Sequence, residues 1–138
     1  LVSQIVEIDG RKMLDGGIAD SIPVQYFEQL GYEKNVVVLT RPSGYQKEKN
    51  KVLPLIRKKY KAYPKLVEAM ENRHERYNET LGYIRQQEQA GKLFVIRPEE
   101  SIPVRRVEKD PERLKAAYEM GRKTMERQMD EVMEFLGR

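Results

Sequence analysis

The residues with the clearest chemical potential lie in MLDGGIADSIPV, positions 13–24. An acid, Asp15, ends an apolar run, and two glycines, Gly16 and Gly17, follow it directly. Asp-Gly-Gly is a common turn signal, so a plain turn is one reading. The sharper reading presents a single carboxylate to a partner on a neighbouring strand. Glycines behind it would allow positive φ and close backbone approach. Asp20, five residues on, reads as a helix N-terminal or solvated acid.

Other chemistries lack their residues. There is no cysteine, which removes thiolate and disulfide chemistry and suits a reducing compartment. The single His74 excludes an intrachain site that needs two histidines, and neither HExxH nor EF-hand spacing occurs. No metal and no other cofactor is expected. Nothing approaches 18 consecutive apolar residues, and no basic-then-apolar leader pattern is present. The expected location is cytoplasmic, with peripheral membrane contact as a variant.

A second constellation is electrostatic. From Arg41 to Lys65 nine basic residues face one acid, Glu48; this stretch carries +8 and the other 113 residues −4. Lys47, Lys49, Lys51, Arg57, Lys58, Lys59 and Lys61 are candidates for contact with an anionic membrane surface. Tyr45, Tyr60 and Tyr63 are interleaved with them, which keeps nucleic acid open as a disfavoured partner. A solvated face is the plain alternative. Arg73, His74, Tyr77 and Asn78 form pairs four apart and read as structural hydrogen bonding. Met120, Met125, Met129 and Met133 read as packing, with a lipid-sensitive surface as the alternative.

Positioning these residues needs the following elements. Residues 4–15 read as a β-hairpin turning at Asp9-Gly10, a dipeptide that accepts the positive φ of a type I′ turn. Pro23 opens a helix with Val24, Phe27 and Leu30 on one stripe, ended by Gly31. NVVVLT (35–40) reads as a strand covered on both faces, because its apolar residues do not alternate. A loop follows, then a helix broken near Pro54 or Pro64, and then one long helix over 65–90 closed by Gly91. KLFVIRP (92–98) is a second buried strand, and 101–110 is a connection with room for a short edge strand. Asp110 caps the last helix and Pro111 starts it. Its stripe runs Leu114, Tyr118, Gly121, Met125, Met129, Val132 and Leu136. The order of elements indicates an α/β fold with mostly parallel strands. Residues 1–98 form the main part, and 99–138 a connection and helix packed on the same domain. Two parallel strands are few for such a sheet, so an exposed edge is expected, and with it a homodimer, capture of another segment, or aggregation.

Taken together, these segments resemble a known family. MLDGGIADSIPV is similar to the aspartate motif of patatin-like phospholipases. VVVLTRPSGYQK, YPKLVEAMENRHERYNETL, GKLFVIRP and LKAAYEMGRKTM resemble, in that order, the downstream half of bacterial patatin-like esterases. The resemblance covers nearly the whole chain. It implies the C-terminal portion of a three-layer α/β/α domain and a Ser–Asp dyad that hydrolyses phospholipid or other carboxylic esters, a role in lipid degradation. Asp15 would be the catalytic base, with Gly16 and Gly17 the turn that supports it. No Gly-x-Ser-x-Gly elbow and no glycine-rich oxyanion loop occurs here; the serines are Ser3, Ser21, Ser43 and Ser101. The chain alone is therefore expected to be inactive, a fragment contributing the aspartate. The competing reading is a non-catalytic binding or regulatory module docked on anionic membrane through residues 41–65.

Overall fold

The computed structural model describes residues 4–105 and 107–138. Ser3 and Arg106 of the expectations above lie outside the described residues. The chain is mixed α/β and roughly half helical, with a two-stranded parallel sheet and a long C-terminal helix. It divides into two compact units, residues 1–23 with 46–83 and residues 24–45 with 84–138.

The first unit opens with the hairpin. β1 (Val6–Ile8) pairs antiparallel with β2 (Arg11–Met13), Val6 opposite Met13. Asp9 (φ 50°) and Gly10 (φ 73°) turn it, both left-handed as a type I′ turn requires. A 3₁₀ turn, Gly16–Ile18, follows. Further on, α2 (Leu53–Lys59) carries Pro54 in its first turn and α3 (Pro64–Glu71) begins on its proline, positions where the missing N–H leaves no bond unmade. Leu53, Ile56, Tyr60 and Met70 form the core of this unit, with Ile5, Ile18, Tyr63, Leu66 and Val67 packed on it. Ile56 is 1% exposed. The helix expected over 65–90 is two helices. α3 ends at Asn72 and α4 (Arg73–Gln89) begins immediately after it. Apolar spacing continues through this break, which is why periodicity alone does not reveal it.

The division between units falls inside α4, whose far end is closed by Gly91 at φ 68°. In the second unit β3 (Asn35–Val38) runs parallel to β4 (Leu93–Ile96), Val37 opposite Val95. Val37, Leu39, Leu93, Val95 and Ile96 are buried. β3 is not covered on both faces as its β-branched run suggests, since Val38 is 70% exposed. α1 (Val24–Gln29) buries only Val24; Phe27 and Leu30 of its expected stripe are exposed. No strand forms among the described residues of the 101–110 connection. α5 (Pro111–Leu136) is capped as expected: the Asp110 carboxylate accepts from Glu112 N–H, and Gly137 ends the helix left-handed at φ 73°. Along α5 the stripe is buried only in part. Thr124 and Val132 are buried, while Leu114, Tyr118, Met129 and Met133 are exposed.

Candidate functional site

Asp15 lies in the first unit, two residues past β2 and on the surface. It directly follows the antiparallel hairpin, and its side chain is exposed. Its Oδ1 accepts from Gly17 N–H at 2.9 Å, which makes Asp15 the N-cap of the 3₁₀ turn. Oδ2 has no partner among the described residues. The carboxylate folds back over Gly17 so closely that a Cβ there would sit 3.2 Å from Oδ1. A side chain at 17 would press on the Asp15 carboxylate, which would have to give by a few tenths of an ångström. The positive φ expected of the pair is not used, because neither Gly16 nor Gly17 adopts it, and nothing lies within 4 Å of a Cβ at Gly16.

The turn is anchored from α4. Arg73 Nε donates to Gly17 O at 2.7 Å and its Nη2 to Ser21 Oγ at 3.3 Å. Ser21 Oγ–H donates in turn to Gly17 O at 2.6 Å. The guanidinium therefore holds the middle of the turn that Asp15 caps, with a longer contact to Ser21 beyond it. No carboxylate is ion-paired with Arg73 among the described residues. Sequence reading grouped Arg73 with structural residues but gave no sign of its target, which lies 56 positions away. Asp20 makes a local turn of its own, accepting from Ile22 N–H.

The neighbouring candidates hold backbone. Asn78 brackets Lys47, its Oδ1 accepting from Lys47 N–H at 2.8 Å and its Nδ2 donating to Lys47 O at 3.1 Å. His74 Nδ1 lies 3.0 Å from Glu71 O, and since a carbonyl only accepts, Nδ1 carries the proton. Among the described residues no group of three His, Cys, Asp or Glu side chains could hold a metal ion.

The seven basic candidates do not share one environment. Lys47 has its Nζ 4.9 Å from the centre of the Tyr77 ring. Arg57 is ion-paired with Glu71; the hydrogen bond it donates holds the Glu71 carboxyl below the ordinary carboxylate range and raises Arg57 itself. Lys49, Lys51, Lys58, Lys59 and Lys61 are exposed. Tyr60, read as an interleaved aromatic, is a core residue instead, and Tyr63 is half-buried with its hydroxyl accepting from Lys12.

The second unit has a shallow cavity of about 340 Å³ beyond the carboxyl ends of β3 and β4, where open α/β sheets gather ligands. Ser43, Arg97, Glu99, Thr124 and Gln128 contribute to its lining. Arg97 pairs with Glu88 and Arg127 with Glu99, while the buried Gln128 Oε1 has no hydrogen-bond partner among the described residues. No described helix is long and apolar enough to cross a membrane.

The profile of one family, a domain of unknown function (DUF6363), matches residues 63–137. The match takes in Arg73 and begins well after Asp15. No curated protein and no solved structure matches the chain.

Proposed function

This chain belongs to the DUF6363 family, a domain of unknown function; on the resemblance of its MLDGGIADSIPV segment and the geometry of Asp15, we propose that it is the aspartate-bearing part of a patatin-like serine acyl hydrolase. The observation that carries the reading is Asp15 itself. One carboxylate oxygen is held by Gly17 N–H and the other is unpartnered among the described residues, in a turn fixed by Arg73. A base in a Ser–Asp dyad needs that arrangement, with one oxygen to set its orientation and one to accept a proton. In the reaction the serine Oγ bonds to the ester carbonyl carbon as its proton passes to Asp15 Oδ2. That proton then leaves with the alcohol, and water hydrolyses the acyl-serine by the same route.

The nucleophile comes from polypeptide outside these residues. No serine here stands in a Gly-x-Ser-x-Gly elbow, and the Ser21 hydroxyl is engaged between Gly17 O and Arg73. The serine-bearing segment would also cover Asp15, which stands in water without it, and would extend the sheet to the layered α/β/α form that the resemblance implies.

Two measurements test the proposal. If the dyad exists, the polypeptide to which these residues belong carries a serine elbow; its absence from that polypeptide overturns the dyad. In the polypeptide that joins that elbow to these residues, Asp15→Asn should lower p-nitrophenyl ester hydrolysis about 10²–10⁴-fold without loss of fold. Undiminished turnover refutes the assignment, as would Asp15-dependent turnover by the 138-residue chain alone.

A further inference from the structure

We infer that the outward face of α2 is a docking surface for anionic lipid bilayers, independent of any role for Asp15. The face follows from the helix period. Leu53, Ile56 and Tyr60 point inward to the core of the first unit. Leu55, at 68% exposure, stands on the opposite side, with the half-exposed Val52 preceding it. Lys58 and Lys59 lie three and four residues after Leu55 on the helix, Lys59 with its Nζ 5.4 Å from the centre of the Tyr60 ring, and Lys51 precedes the helix just before Val52. Lys49 and Lys61 extend the basic field at either end of the helix, and all five lysines are exposed. Lys58 and Lys59 also occupy the last turn of α2, where the helix dipole favours cations.

An exposed aliphatic residue flanked by lysines fits a bilayer surface. The ammonium groups meet anionic headgroups, and the leucine enters the acyl boundary beneath them. Nucleic acid fits the same surface less well. Single strands need exposed aromatic platforms for their bases, but of the aromatics in this stretch Tyr60 is buried, Tyr63 is half-buried with its hydroxyl engaged, and Tyr45, half-buried under Arg41, belongs to the other unit. Arg57 is neutralised by Glu71 and adds little to the field.

The chain contains no tryptophan, so Leu55→Trp introduces a single reporter at the centre of the face. With vesicles of phosphatidylcholine containing 30% phosphatidylserine, its emission should shift to the blue, and with pure phosphatidylcholine it should not. The shift should vanish in 0.5 M salt. In the otherwise native chain, sedimentation with the same vesicles should fall about fivefold for each lysine removed, so Lys58→Gln with Lys59→Gln should weaken it about 25-fold. Circular dichroism of each variant checks that α2 still folds, and Lys49→Gln, which lies outside the helix, repeats the test where the fold is not at stake. Three results would overturn the inference. They are no association with anionic vesicles, association without a blue shift, and tighter salt-matched binding of a single-stranded oligonucleotide through the same lysines.

Discussion

Arg73 offers the sharpest test of the Asp15 turn. Replacing it with methionine keeps the apolar stem and removes the guanidinium. Gly17 O then keeps one donor, Ser21 Oγ–H, and loses the charge-assisted bond at 2.7 Å; the contact to Ser21 at 3.3 Å is long and contributes little. Hydrogen bonds to charged groups contribute about 1.5–3 kcal/mol, and for a half-exposed guanidinium about 2 kcal/mol is a reasonable figure. If this is felt as opening of the turn, exchange of Gly17 N–H with solvent should speed up roughly 30-fold, while amides of α5, in the other unit, should not change. Amide exchange followed by NMR reads this directly. For the 138-residue chain the same loss should lower the melting temperature by about 7 °C. Arg73→Lys can keep the bond to Gly17 O but not the fork, and should recover part of the protection. If Gly17 exchange and the melting temperature are unaffected in Arg73→Met, Arg73 does not hold the turn and the account of how Asp15 is oriented fails.

Other outcomes are accessible to simple measurements. Because Arg57 lowers the pKa of Glu71, their pair contributes stability above the ordinary carboxylate range, and this is lost as pH falls through the depressed value. Urea midpoints of the native chain and Arg57→Gln should therefore differ at pH 7 and converge as the pH drops below about 4. Gln128→Leu replaces a buried amide whose oxygen lacks a donor among the described residues, and should leave the melting temperature unchanged or raise it; a fall of several degrees would mean that a bound water satisfies that oxygen.

Elements set by neighbouring backbone are legible in the sequence. Asp9-Gly10 gives the hairpin, and Asp110-Pro111 with Gly137 delimits α5, because each depends only on neighbouring backbone. The reading failed where a longer-range choice decides. Asn72 divides one apolar pattern into two helices, and Val38 belongs to an apolar run whose cover cannot be judged from that run alone. The glycines after Asp15 invite a positive-φ explanation, yet neither adopts it, and the carboxylate lies over Gly17. Arg73 was visible as a residue, but its partner was not, since no spacing rule connects a side chain to a carbonyl 56 positions away.

The parallel pairing of β3 with β4 has a consequence for how the chain is made. Asn35 meets Leu93, so roughly 60 residues must be looped before the first ladder bond forms, a closure entropy of about 3.5 kcal/mol. On the ribosome α2 and α3 can assemble early, whereas Val36, Val37 and Val38 emerge long before their partner strand is translated. That interval leaves an aliphatic valine run without its partner strand, exposed to non-native association until Leu93–Ile96 is made.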